Sequence, residues 1–292
     1  MLQTAILAAR EAGSILLDNL KKPRQTKVKG LRDIVTDADL KAQRAIVEII
    51  QARFPNHDIL SEEFDPGSKG QAAVEGGFDG LTTGGLDRLT PSTGGSASSP
   101  HNSGHRTDHP YTWIVDPLDG TTNYSRRFPC FCTSIALSHQ GEVILGVVYD
   151  PLRDCLFQAE RGKGAYLNGE SLRVSQVESP ADALVGFDWA RAQAEREVVV
   201  RLIGQIALQV RTLRTLGAAA LALCYVAAGW LDVYLHFSLK PWDAAAGALV
   251  VQEAGGAASD FTGHLWQTHS ERCLASNGLL HDEMLSVLTA GG

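Results

Sequence analysis

The sequence has no run of 18 apolar residues, no Cys-x-x-Cys pair and no excess of positive charge. The first absence speaks against a membrane-spanning helix. Near the start, Arg10 and Glu11 interrupt the only apolar stretch, so no secretory signal peptide is expected. The five cysteines, Cys130, Cys132, Cys155, Cys224 and Cys273, are odd in number and lack zinc-site spacing. Reduced, mostly buried thiols in a cytoplasmic protein are expected. Lys and Arg number 26 against 33 Asp and Glu, a net charge of −7, which argues against a nucleic-acid or anionic-membrane partner. It does not exclude a phosphorylated substrate, because bound cations invert the field locally. Neither an internal repeat nor a strict βαβ alternation is present.

What is there is a globular composition: 292 residues, 44% hydrophobic and 20% charged. That length suits one large unit or two sub-domains sharing a buried seam. Leu2, Ile6, Ala9, Gly13, Leu16 and Leu20 recur in steps of three and four and predict a first helix ended by Lys21-Lys22-Pro23. A second helix is expected after Thr36, which with Asp39 has capping-box spacing, and it stops at Pro55-Asn56. Strands are expected over 57–60, 113–115, 132–139, 143–149, 155–159, 231–237 and 273–275. Further helices are expected over 195–209, 218–228, 243–254 and 282–288. Such a mixture is α+β.

Residues 65–110 differ in character. They hold ten Gly, six Ser and four Pro, with few large apolar side chains, and read as a mobile surface insertion. His101, His105 and His109 recur every four positions, a metal-site spacing on a helix. Pro100, Gly104 and Pro110 argue against a helix, so a polar loop is the plainer reading.

The most informative segment is Trp113-Ile-Val-Asp116-Pro-Leu-Asp119-Gly120-Thr121-Thr122-Asn123. An apolar strand runs into two carboxylates around Pro117, which fixes its own φ, and Gly120 permits a tight turn. Two oxygen ligands held rigidly at a strand end suit magnesium, which takes few hard carboxylates and fills its shell with water and phosphate. Backbone N–H groups after the turn can face an anion. A lone DxxDG turn is common on surfaces, and Asp243 alone reads as an N-cap. Ser61-Glu62-Glu63, Asp39 and Trp242-Asp243 add acidic groups where other elements begin or end.

Together these stretches resemble the inositol monophosphatase family, in the superfamily of lithium-sensitive, metal-dependent phosphatases. The matching segments are Asp33-Ile-Val-Thr-Asp-Ala-Asp39, Ser61-Glu62-Glu63, Trp113 to Tyr124, Gly162-Lys-Gly-Ala165, Leu216-Gly-Ala218, Pro241-Trp-Asp243-Ala-Ala-Ala-Gly247 and Glu253-Ala-Gly-Gly256. The resemblance implies a layered αβαβα sandwich, with residues 1–180 carrying most metal ligands and 181–292 completing the active site. It implies Mg²⁺, two or three ions. Glu62, Asp116 and the carbonyl of Leu118 would hold the first, and Asp116, Asp119 and Asp243 the second. Glu62, with Glu63 as a further candidate, would help hold a third. Asp39 and Thr121 would orient the attacking water, so Asp39, Glu62 and Thr121 are the catalytic candidates. Gly120 and Thr121 would offer N–H groups to the phosphate, while Gly217, Ala218 and His236, beside Asp119 and Asp243, would line the substrate side. A homodimer and lithium sensitivity are implied in the same way, as is a small phosphomonoester partner with no nucleic acid and no membrane.

Two departures bear on substrate. Glu62 and Asp116 stand 54 positions apart because of the insertion, which is either passive or a lid or subunit contact. At His236, seven positions before Asp243, inositol-selective members are typically acidic. The histidine, or Lys240, would instead favour a second anionic group. Inositol monophosphate therefore leads, followed by a broad sugar phosphate, histidinol phosphate, fructose bisphosphate or 3′,5′-bisphosphate nucleotide. A covalent phosphoaspartate at Asp116 and a non-catalytic metal-binding protein on the same fold are the remaining readings.

Overall fold

The computed structural model describes residues 1–22, 26–30, 33–63 and 109–290. Apart from His109 and Pro110, the expected surface insertion lies outside the described residues, together with His101 and His105.

Helix α1 (Leu2–Leu20) buries Ala5, Ala8, Ala9, Ala12, Gly13 and Leu16. Leu2, Ile6 and Leu20 are only half-buried, so the buried face is rotated toward the small residues relative to the sequence pattern. The cause is close packing on a sheet. A Cβ on Gly13 would lie 2.6 Å from the ring of Tyr149. A hairpin of β1 (Thr26–Gly30) and β2 (Asp33–Thr36) follows, which the sequence reading missed. β1 is exposed along its whole length and so offers no alternation to read. Helix α2 (Asp37–Arg53) begins at the expected capping box: Thr36 is the N-cap and its N–H donates to Asp39 Oδ2 at 2.9 Å.

β3 (Asp58–Ser61) pairs in parallel with β4 (Tyr111–Asp119), which runs through both aspartates rather than stopping at Val115. After the single turn of α3 (Thr121–Ser125) come β5 (Cys132–His139), β6 (Glu142–Asp150), β7 (Cys155–Glu160), β8 (Ala165–Leu167) and β9 (Glu170–Ser171). From β3 to β9 these form a seven-stranded sheet in sequence order, antiparallel after the first pair. The chain continues through β10 (Leu184–Asp188), α4 (Gln193–Ala207), β11 (Thr212–Arg214), α5 (Ala219–Ala227), β12 (Val233–His236), α6 (Pro241–Glu253), β13 (Ala257–Ser259), β14 (Cys273–Ser276) and α7 (His281–Ala290). Its five strands form a second sheet in the order β11-β10-β12-β14-β13.

Three apolar cores fix five layers. One joins α1 and α2 to the first sheet, with Trp113, Ile135 and Leu137 fully buried. A second, rich in alanine, joins that sheet to α5, α6 and the second sheet. The third covers the outer face of the second sheet with α4 and α7. The fold is the expected αβαβα sandwich. Its middle layer explains the run Ala244-Ala-Ala-Gly247. A Cβ on Gly146 of β6 would lie 2.7 Å from Ala246 O, and one on Gly247 would lie 2.6 Å from Leu223 Cβ. Only small residues let α6 sit between β6 and α5. All five cysteines are unpaired and four of them are buried. Among the described residues no helix is long and apolar enough to cross a membrane.

Candidate active site

Asp116 and Asp119 are three positions apart on β4. On a regular strand such residues would point to opposite faces. The ladder to β5 pairs Asp116 with Ser134 but Asp119 with Cys132, so three steps on β4 match two on β5. This one-residue bulge contains Pro117, which has no N–H to give to a ladder. It turns both carboxylates onto one cavity. Thr133 Oγ1 holds the bulge by donating to Pro117 O at 3.0 Å.

Glu62 reaches the same place by strand pairing. Ser61 lies opposite Val115 in the parallel ladder, and Glu62 N donates to Val115 O at 3.2 Å. Gln43 on α2 supports this strand end, its Oε1 accepting from Ser61 Oγ and, at 3.2 Å, from Glu63 N. Asp243 comes from the start of α6. It stands at the third helical position behind Pro241, with Lys240 as N-cap, so the N-cap reading of Asp243 is corrected. Its Oδ2 accepts from Lys240 N at 2.7 Å.

The cavity of about 290 Å³ is lined by Glu62, Asp116, Leu118, Asp119, Thr121 and Asp243, and also by Gly217 and His236. Thr121 Oγ1 lies 3.1 Å from Asp39 Oδ1 and 3.0 Å from Leu118 O, and its single proton serves one of them at a time. Asp39 is fully buried behind this hydroxyl. Gly120 (φ 91°) opens α3, and a Cβ there would lie 2.9 Å from Cys130 O and 3.2 Å from Gly217 O. Ala218 does not line the cavity. It is buried behind Gly120, and Ala219 takes the lining position. Glu63 is not on the lining; both it and Glu62 accept from Lys29 Nζ of β1.

Electrostatic crowding is severe. Burial, then the charges of Glu62, Asp119 and Asp243, hold the Asp116 carboxyl well above the usual carboxylate range. Burial likewise lifts Asp243 to about 8 and Asp119 to about 7. Asp39 rises to about 6, again through burial first, with Glu62 adding to it. His236 moves the opposite way, to about 3, because burial and then the charge of Arg191 penalise the imidazolium. Its Nδ1 accepts from Ser238 N at 3.1 Å, which assigns the proton of the neutral ring to Nε2.

Among the described residues, no three His, Cys, Asp or Glu side chains converge as a ready-made cage for an ion. The donor chemistry still fits a hard divalent cation. Each aspartate has one oxygen fixed by a backbone N–H: Asp116 Oδ1 by Leu118 at 3.0 Å, Asp119 Oδ2 by Ala220 at 2.8 Å and Asp243 Oδ2 by Lys240. The other oxygen of each takes no part in that bond. This is how outer partners orient metal-binding carboxylates, and a cation would favour the ionised forms that burial, and then neighbouring negative charge, now penalise.

Several lining residues carry no motif and were missed from sequence: Asp188, Trp189, Arg191 and Arg196; Asn123 lay within the quoted segment but was given no role. Asn123 Nδ2 donates to Cys130 O at 2.8 Å and to Leu216 O at 2.7 Å, tying α3 to the loop before α5. Asp188 ends β10 and accepts from Gly217 N at 2.9 Å and Tyr234 OH at 2.8 Å. A carboxylate at a strand end was the only available signal, and it was not distinctive. Lys240, a candidate for binding a second anion, is not on the lining.

The sequence model of the inositol monophosphatase family matches residues 1–290. Inositol monophosphatase 2 of Solanum lycopersicum is 37% identical over 287 residues, covering 97% of this chain and 96% of that protein. Nus factor SuhB of Escherichia coli (strain K12) is 36% identical over 267 residues, covering 90% of this chain and 86% of that protein. The crystal structure of extragenic suppressor protein suhB from Bartonella henselae superposes with a TM-score of 0.82 at 30% identity, covering 99% of this chain and 98% of that one.

Proposed function

The chain belongs to the inositol monophosphatase family, and on that footing we propose that it is a Mg²⁺-dependent phosphomonoesterase acting on a small phosphorylated alcohol, with inositol monophosphate as the leading substrate. One observation carries the reading: Glu62, Asp116, Asp119 and Asp243, from three separate stretches of chain, line a single cavity. Four carboxylates there have no use for an uncharged ligand, and they would repel a phosphate unless cations came between them.

The family is generally metal-dependent. Glu62, Asp116, Asp119, Asp243 and the Leu118 carbonyl are the groups that would hold two or three Mg²⁺. The ions would supply Lewis acidity and an activated water. Asp39 and Thr121 then act as a positioning pair: the buried carboxylate fixes the hydroxyl, and the hydroxyl is placed to orient the water. Gly120 and Thr121 present N–H groups toward the phosphate. Gly217 and neutral His236 face the alcohol, His236 as a donor through Nε2. We read residues 1–180 and 181–292 as two sub-domains that meet at this cavity, and the assembly as a homodimer, which sedimentation tests.

The test is a hydrolysis panel, with and without Mg²⁺ and with added Li⁺. It comprises inositol 1-phosphate, histidinol phosphate, fructose 1,6-bisphosphate, a nucleoside 3′,5′-bisphosphate and glycerol 2-phosphate. Mg²⁺-dependent turnover supports the reading, and no turnover of any of them overturns it. A second reading is set by the relative named Nus factor SuhB: a binding role on the same fold, with a macromolecular partner. The small-molecule-only expectation from net charge therefore does not stand alone. An Asp116→Asn variant that loses turnover yet fully replaces the wild-type gene in cells would favour it.

A further inference from the structure

Asp188, the last residue of β10, lines the cavity together with His236, the last residue of β12. The two are register partners in a parallel ladder, so their side chains stand next to each other on one face of the second sheet. Asp188 is held differently from Asp116, Asp119 and Asp243, each of which has one oxygen fixed by a backbone N–H. Both of its oxygens are engaged: Oδ1 accepts from Gly217 N at 2.9 Å and Oδ2 from Tyr234 OH at 2.8 Å. The N–H of Leu216 also reaches it. The Tyr234 bond depends on Gly186, its own register partner, where a Cβ would lie 3.1 Å from the tyrosine ring. Burial lifts Asp188 to about 6 and these three neutral donors oppose the rise, with no cation among the groups that act on it. It is therefore ionised at neutral pH.

We propose that Asp188 is a specificity-determining residue, accepting a hydrogen bond from one hydroxyl of the substrate's alcohol beside a second hydroxyl that accepts from His236 Nε2. This deepens the phosphatase reading and rests on it. An ionised carboxylate only accepts, and it offers about four acceptor positions. Gly217, Leu216 and Tyr234 occupy three of them. A buried carboxylate without a cation gains from one more donor. With neither oxygen left free, Asp188 suits a cation less well than Asp116, Asp119 and Asp243 do, and a hydroxyl is the donor that fits. His236 supplies the complement: its Nδ1 accepts from Ser238 N, so Nε2–H is the donor. A hydroxyl both donates and accepts, so an acceptor and a donor on adjacent strands match two neighbouring hydroxyls of a polyol. The three bonds fix the carboxylate before a ligand arrives, which lowers the ordering cost of binding.

The test compares inositol 1-phosphate with cyclohexyl phosphate, which keeps the ring and the ester and lacks the other hydroxyls, in the presence of Mg²⁺. The wild type should favour inositol 1-phosphate in kcat/KM by about tenfold or more, mainly through KM. In Asp188→Asn that ratio should fall by about tenfold. The amide keeps an acceptor for Gly217 N and a donor that a reversed Tyr234 hydroxyl can accept, so the clamp survives while the charge is lost. Tyr234→Phe is the opposite change: it removes a clamp bond and keeps the carboxylate. Both substrates should then fall together, their ratio held within about twofold. Where circular dichroism shows that the Asn variant does not fold, Asp188→Ser replaces it with the same expected loss. Three results overturn the role of Asp188 and leave the phosphatase reading in place: equal kcat/KM for the two substrates in the wild type, an unchanged ratio in the Asp188 variant, or an equal loss of the ratio in Tyr234→Phe. Turnover of neither substrate overturns both.

Discussion

Asp119 Oδ2, on β4, accepts a hydrogen bond of 2.8 Å from the backbone N–H of Ala220, in the first turn of α5 and 101 positions further along the chain. The N-cap of α5 is Ala218, which has no side chain that can cap. A carboxylate from the other sheet takes over that task, and the helix N-terminus favours its negative charge. The same residue therefore locks the two halves of the cavity together and presents its remaining oxygen there.

Asp116 sits at the centre of the crowding. Asp116→Asn should lower kcat by about a thousandfold or more, since it weakens every ion that this carboxylate would share. In EDTA the variant's Tm should be equal to or above that of the wild type, because a buried like charge has been removed. Steady-state kinetics and calorimetry check this. Near-normal kcat at saturating Mg²⁺, or a Tm that drops sharply in EDTA, contradicts it.

The raised carboxyls give the metal-free protein a distinct pH dependence. Asp243 at about 8 and Asp119 and Glu63 at about 7 bind protons more tightly folded than unfolded. Stability in EDTA should therefore rise as pH falls from about 8.5 to about 6.5. Below that, His57, His236 and His281, whose pKa values are lowered by burial, oppose the trend, because the unfolded chain then takes up their protons. Saturating Mg²⁺ should flatten the rise by keeping the carboxylates ionised. Parallel Tm curves with and without Mg²⁺ would count against a cation site here.

Thr121 links α3 to Asp39 through one hydroxyl. Thr121→Val keeps the shape and removes the bond, and kcat should fall by about a hundredfold with KM little changed. Thr121→Ser should recover most of it. Equal activity of the Val and Ser variants would remove the hydroxyl from the mechanism.

Gly120 combines a φ of 91° with backbone oxygens close to where a Cβ would stand. Gly120→Ala should destabilise the protein by about 1–3 kcal/mol, through left-handed strain and contact with Cys130 O. Urea unfolding measures it, and a loss below about 0.5 kcal/mol would show that the turn yields.

His236 faces the cavity as a neutral donor. His236→Glu places an acceptor and a negative charge opposite Arg191, so preference should move toward inositol monophosphate by about tenfold in relative kcat/KM. An unchanged substrate ranking would remove His236 from specificity.

Local order alone fixed a good deal. The capping box at Thr36 and Asp39, the central strands around Trp113, Ile135 and Val147, and the small-residue run of α6 depend on neighbours a few positions away, and so they could be read from the chain. So could the types of residue that would meet a cation. Only the tertiary structure decided how they meet. Asp116 and Asp119 share a cavity because a bulge at Pro117 cancels the alternation of β4. Glu62 stands beside Val115 because a parallel strand pair closes across the 54-position gap. Trp189, Arg191 and Arg196 have no motif at all and reach the cavity because β10 ends against Gly217 and Tyr234. Pairing between distant segments leaves no local pattern, since its energy comes from groups that are neighbours only after folding.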